Sequence, residues 1–137
     1  MGADHVVNYR VTPGWDKVAR EATNGTGADL VVEVGGAGTL ETSVRAVRVS
    51  GTVALVGVLS GASGNLNLGP VVTQNIRLQG VTVGSRHLFQ EMVRAMELHQ
   101  VKPPIDDRVF AFAEVGQALA ALPEGRHFGK VVIRFGV

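Results

Sequence analysis

Short apolar runs rich in β-branched residues alternate with segments whose apolar side chains recur every three to four positions. This alternation narrows the fold more than any other property of the chain. Asp29-Leu30-Val31-Val32-Glu33-Val34 reads as a strand ending in Gly35-Gly36-Ala37-Gly38, and Thr52-Val53-Ala54-Leu55-Val56-Gly57-Val58 reads as the next. Between them Leu40, Val44 and Val47 mark a helix, with Ser50-Gly51 as its stop. Upstream, His5–Tyr9 is a β-rich run, followed by Trp15, Val18, Ala19 and Ala22 at i, i+3, i+4 and i+7. Thr12-Pro13 offers that helix a cap and a first-turn proline, and Asn24-Gly25 a stop. Strands apolar on both faces and separated by helices belong to a parallel sheet covered on both sides, because antiparallel hairpins need tight turns instead. The predicted class is α/β, doubly wound.

Beyond Pro70 the rhythm loosens. Ile76–Gly84 predicts a further strand, and Phe89, Met92, Val93 and Met96 a helix stopped by Lys102-Pro103-Pro104. Val109–Phe112 predicts a short strand, Val115, Leu119 and Leu122 a helix ended by Pro123, and Lys130–Phe135 a closing strand. The 137 residues match a common single-domain size, and 45% hydrophobic against 18% charged residues indicates a globular chain. A net charge of +1 gives no footprint for nucleic acid or an anionic membrane. No apolar run approaches the roughly 20 residues of a membrane span, and no basic-plus-apolar leader follows Met1, so a cytoplasmic protein is expected. Without cysteine there are no thiolate ligands, and His5, His87, His99 and His127 lack helical pairing, so no metal site is expected.

Function concentrates at strand ends. In open α/β sheets ligands bind outside the carboxyl ends of the strands, where free amides and helix N-termini point. Two consecutive predicted strands reach such ends at Val34-Gly35-Gly36 and Val56-Gly57-Val58. Each glycine, taken alone, serves equally as a tight turn or as bare backbone open to a ligand.

Taken together, GADHVVNYR, DLVVEVGGAGTLETSVRAVRVSGTVALVGVLSG, NIRLQGVTVGSR and HFGKVVIRF resemble the zinc-type (medium-chain) alcohol dehydrogenases and their quinone oxidoreductase relatives, over essentially the whole chain. The resemblance implies the C-terminal part of an NAD(P)-dependent oxidoreductase acting on a small alcohol or carbonyl. Residues 1–84 would be a Rossmann sheet lacking its first two strands, and residues 85–137 helices and a closing strand returning toward an absent catalytic domain. It further implies that Val34 and Gly35 lie near the adenosine ribose, and Val56, Gly57 and Val58 beside the nicotinamide ribose and ring. Val81 and Val83 would offer backbone groups to the carboxamide, and Lys130 would reach the pyrophosphate. The alternative for Lys130 is a solvated lysine opening a strand, while Arg86, a further cofactor candidate, reads rather as an exposed residue at a helix start.

By the same resemblance the zinc ligands of the parent would lie outside this chain, and no residue here is expected to act as catalytic acid or base. No G-x-G-x-x-G turn is present, and by the resemblance the strand end carrying the acidic or basic residue that reads the ribose 2′ position is not among these residues either, so NAD and NADP are not distinguished. The resemblance also implies a homodimer formed through the strand Leu78–Gly84, and the stretch Leu66–Gly84, with Leu66, Leu68, Val71, Val72, Ile76 and Leu78 and few charges, suits such an interface, its alternative being an ordinary core edge. Two further readings stand beside the enzyme part. One is a truncated, non-catalytic homo-oligomerisation module using open sheet edges. The other is an unrelated doubly wound nucleotide-binding domain, against which the HFGKVVIRF ending argues.

Overall fold

A computed structural model of the chain describes residues 2–136, which form two compact units divided between Val83 and Gly84. In the first, α1 (Trp15–Ala22) and β1 (Ala28–Glu33) precede α2 (Leu40–Ala46), β2 (Val47–Leu55), α3 (Leu68–Thr73) and β3 (Arg77–Gly80). The three strands make one parallel sheet in the order β1-β2-β3. Parallel neighbours require crossover connections, and here these are α2 and α3. Because the strand order advances in one direction, crossovers of one hand place both helices on the same face. The row Val31, Val53 and Leu78 crosses all three strands on that face and meets Val44, Val47 and Ile76, with Leu40, Leu66 and Val71 packed around them. The opposite face carries Leu30 and Val32, which are 55% and 60% exposed.

Several sequence expectations are corrected. His5–Tyr9 forms no strand; its end folds into a turn in which Val11 and Thr12 donate to the carbonyl of Asn8. Its β-propensity finds no ladder, and propensity without a paired neighbour does not make a strand. Gly14, rather than Thr12, precedes the first turn of α1, and it supplies no side-chain cap. The stop at Asn24-Gly25 is observed, both residues having positive φ.

The second helix ends at Ala46, and Val47 already belongs to β2. Ser50-Gly51 falls where β2 leaves register, between the pairs Ala28–Val47 and Leu30–Thr52. Arg20 explains the early stop. Its guanidinium donates to the carbonyls of Arg45 at 2.7 Å and Val47 at 2.9 Å, and to those of Gly25 and Thr26. A side chain from α1 thus satisfies the orphan carbonyls that a C-terminal glycine usually serves. The buried Asp16 of α1 accepts from Arg45 at 3.0 Å, fastening the same two helices.

The sequence expectations contain no α3, the helix that holds Pro70. The proline occupies the third position of a helix capped by the Asn67 side chain, where a missing N–H costs no intrahelical bond. The strand expected over Ile76–Gly84 stops at Gly80, although Val81 still donates to Leu55. Of the six apolar residues proposed for a dimer surface, Leu66, Val71, Ile76 and Leu78 pack into the chain's own core, while Leu68 and Val72 are exposed.

The second unit holds α4 (Arg86–Leu98), β4 (Ile105–Ala111), a 3-10 turn (Phe112–Glu114), α5 (Val115–Glu124) and β5 (Lys130–Arg134). Ser85 caps α4 through the amide of Leu88, and α4 ends at Leu98, before Lys102-Pro103-Pro104 is reached. β4 and β5 pair in parallel across α5, whose Ala118 and Ala121 are buried. Phe112 closes no strand; it begins the 3-10 turn and packs on Phe135 with ring centroids 4.8 Å apart. Pro123 lies inside the last turn of α5, and the helix ends at Gly125 in the left-handed conformation. The Asp106 carboxylate accepts the amides of Phe128 and Arg108, which hold it below the ordinary aspartate range.

Replacing Arg20 with alanine is expected to cost about 2 kcal/mol, since it strands carbonyls from two segments. Arg20→Lys should recover less than half, because one ammonium cannot span the fork. Urea unfolding of both variants measures this, and an Arg20→Lys chain as stable as wild type would reject the capping role.

Candidate functional site

The carboxyl ends of β1, β2 and β3 lie on one side of the parallel sheet, and backbone bonds bind the first two ends together. Val56 and Gly57 both donate to the carbonyl of Glu33, at 2.8 and 3.2 Å. Leu59 donates to Val34, and Ser60 to Gly35 through both its amide and its hydroxyl at 2.7 Å. The Ser60 hydroxyl oxygen also accepts the Gly38 amide. The glycines are required by this closeness. A Cβ on Gly57 would stand 2.6 Å from the carbonyl oxygen of Val34. Gly36, at φ +85°, would bring one within 2.6 Å of the carbonyl oxygen of Gly61.

Beneath the turn lies Glu33, only 3% exposed. Its Oε1 accepts the amides of Gly35 at 2.6 Å and Gly36 at 2.9 Å and the Thr39 hydroxyl at 2.6 Å, while Oε2 accepts the Ser43 hydroxyl. Thr39 stands at the N-cap position of α2 without capping it, because its hydroxyl is committed to the carboxylate. Burial pushes the Glu33 carboxyl upward, but the bonds from Ser43, Thr39, Gly36 and Gly35 outweigh it and hold the group below its ordinary value. Among the described residues no basic side chain forms an ion pair with it. Donors that converge on one charge act as a preorganised cradle that only an ionised acceptor fully satisfies.

Two hollows flank this turn. One, of about 530 Å³, is lined by Tyr9, Arg10, Val34, Gly35, Gly38 and Ser60. The other, of about 160 Å³, is lined by Gly36, Leu55, Gly57, Val58, Gly61 and Leu66, among others. Val34 and Gly35 thus face the first hollow, and Gly57 and Val58 the second. Val34, Val56, Val58 and Val81 are exposed and present an apolar rim at the strand ends. Val83 is 98% exposed and lies beyond the ladder, so it shares no strand with Val81. Lys130 opens β5 in the second unit and is exposed, as is Arg86 at the first position of α4. Glu33, Thr39, Ser43 and Ser60 are the site residues that sequence reasoning missed. The available signal was an acidic residue closing an apolar run before Gly-Gly, with Thr39 and Ser43 four apart on the next helix.

Parallel strands, crossover helices on one face and glycine-lined carboxyl ends define a Rossmann-like α/β sheet of the nucleotide-binding class. A family model described as zinc-binding dehydrogenase matches residues 1–133. The chain belongs to that family. It is 34% identical to a zinc-type alcohol dehydrogenase-like protein of Schizosaccharomyces pombe, across 98% of this chain and 40% of that protein. Among solved structures, an NAD-dependent alcohol dehydrogenase superposes with TM-score 0.86 at 34% identity, over 98% of this chain and 39% of that one. The alcohol dehydrogenase of the hyperthermophilic archaeon Aeropyrum pernix gives 0.79 at 26%, over 96% and 37%. The chain spans about 40% of the length of the curated relatives it matches.

Gly57→Ala is expected to force the β1 and β2 ends apart and cost about 1–3 kcal/mol. Gly80→Ala, whose Cβ meets nothing within 4 Å, should cost no more than about 0.5 kcal/mol, so equal losses in denaturant would contradict the close-approach account. For pH the sign is set by a folded-state value lowered from 4.5. The contribution of Glu33 is complete above that value and is lost as pH falls through the lowered one. Asp106 acts in the same sense. The expected result is therefore a steeper acid loss of unfolding free energy in wild type than in Glu33→Gln; superimposable acid limbs would refute it.

Proposed function

We propose that this chain is the cofactor-holding part of an NAD(P)-dependent oxidoreductase, and that a nicotinamide dinucleotide lies along the carboxyl ends of β1, β2 and β3. The observation that carries this is the bonded pair of bare strand ends, Val34-Gly35-Gly36 and Val56-Gly57, with an apolar rim and a hollow on either side. Such a surface fits the cofactor chemically. Valine side chains suit the flat faces of its rings, and backbone without Cβ admits the sugar-phosphate chain closely. On this reading Val34 and Gly35 hold the adenosine side, Val56, Gly57 and Val58 the nicotinamide side, and Val81 and Val83 offer backbone groups to the carboxamide. Lys130 supplies a cation for the pyrophosphate.

A nicotinamide held there would supply hydride transfer, and these residues would orient its ring and exclude water from one of its faces. None of them is assigned to proton transfer or to metal binding; Lys130 serves only as a cation for the pyrophosphate. The small alcohol or carbonyl substrate, and a zinc ion if the longer enzyme uses one, are therefore assigned to segments outside these residues, and the chain alone is expected to turn over no alcohol. Residues 1–84 form the cofactor part of this scheme and residues 85–137 the return toward the catalytic domain. A second reading, a homo-oligomerisation module, is favoured by the exposed apolar face at Leu30 and Val32 beside the free edge of β1. It predicts a dimer mass that Val32→Lys returns to the monomer.

Titration of the chain with NADH and NADPH, read by calorimetry and by amide shifts, tests the cofactor reading. Binding weaker than about 1 mM, or about −4.1 kcal/mol, is expected because no G-x-G-x-x-G turn is available to cradle the phosphates. Shifts should gather at Val34, Gly35, Val56–Val58 and Val81, and Lys130→Ala should weaken binding further. Shifts scattered over α4, or none at millimolar cofactor, would overturn the proposal.

A further inference from the structure

We infer that Glu33 is a positioning residue whose ionised carboxylate fixes the placement of the two strand ends relative to each other. Its relevance to a cofactor rests on the reading above. One residue joins the two ends by two separate routes. Through its side chain it gathers the amides of Gly35 and Gly36 and the hydroxyls of Thr39 and Ser43, which ties the β1 turn to the first turns of α2. Through its main-chain carbonyl it receives Val56 and Gly57, which ties the end of β2 to the same point.

A glycine turn has little conformational preference of its own, so without the carboxylate Gly35 and Gly36 would sample many states. The charge is needed as well as the shape. All four groups donate, and a neutral amide would set its own N–H₂ against at least one of them. Ser43 is the partner able to adapt, since its hydroxyl can turn to accept. A glutamine at this position therefore preserves the fold while losing the charge-assisted bonds. Packing offers no substitute, because the space around the turn is too tight for any added side chain at Gly35, Gly36 or Gly57.

The test compares amide hydrogen exchange by NMR in the 137-residue chain and its Glu33→Gln variant, with and without millimolar NADH. Exchange at Gly35 and Gly36 should accelerate roughly tenfold or more. Val56 and Gly57, which touch only the main chain of residue 33, should follow. Val53 and Ala54 inside the ladder should keep their wild-type rates. Unchanged exchange at all four site amides overturns the proposal, and so does uniform acceleration that includes Val53 and Ala54, since that reports a loss of global stability. If Glu33→Gln does not fold, Thr39→Val decides the matter. It removes one of the four donors while keeping the charge, and should accelerate Gly35 and Gly36 roughly threefold; no change there is equally fatal. NADH-induced shifts at Val34–Gly36 should be smaller in either variant than in wild type. If wild type itself shows no such shifts, the cofactor reading fails, while the exchange rates still decide the role of Glu33.

Discussion

The meeting of the two glycine-rich strand ends depends on the parallel pairing of β1, β2 and β3. Strands running the same way deliver all three carboxyl ends to one side of the sheet, and crossover helices must return the chain to the other side each time. Both glycine-rich turns consequently fall at neighbouring strand ends, although more than twenty positions separate them in sequence. An antiparallel sheet of the same strands would have put Val34-Gly35 and Val56-Gly57 at opposite ends. The direction of pairing therefore creates the site, and local chemistry then shapes it.

That local chemistry centres on the Glu33 carboxylate, with which no basic side chain among the described residues forms an ion pair. An isolated carboxylate in an apolar core is among the costliest groups to bury, and proteins usually answer with a cation. Here two backbone amides and two hydroxyls do so. The choice has a geometric consequence. A lysine or arginine partner would bring a long, mobile side chain to the turn, whereas amides one bond away from the strand ends place the constraint on the backbone itself. Rigid presentation of backbone groups gains more from that second arrangement.

How much of this was legible in the sequence depended on whether the decisive partner was local. Val31 and Val53 announced themselves because burial on a pleated face needs only apolar residues in a run. The end of α2 was not legible, because its carbonyls are satisfied by Arg20, remote in sequence, in place of a glycine at the expected spot. His5–Tyr9 looked like a strand by composition and lacks a ladder to join. The helix around Pro70 was not legible either, and the proline's position three residues past the Asn67 cap is what makes it harmless. Glu33 was hidden in plain view inside an apolar run, since nothing local says that hydroxyls six and ten positions later will turn back to it. Its fold class and strand ends could be read from pattern; the carboxylate cradle needed coordinates.

The uncovered face of the sheet carries the same logic outward. Its rows run from Leu30 through Thr52 to Arg77, and from Val32 through Ala54 to Gln79. Each row is apolar at β1 and polar at β3, where Arg77 reaches across to the Thr52 hydroxyl. Crossovers that advance in one direction cannot cover this face, because they all land on the other one. A covering layer, where one exists, must come from connections running the opposite way, and the gradient places it over β1 rather than β3. In the doubly wound order, ligands bind in the crevice where the direction of winding reverses. The exposed leucine and valine and the larger of the two hollows, at Val34-Gly35, therefore lie together at the β1 edge of the sheet, where winding in the opposite direction would cover the second face.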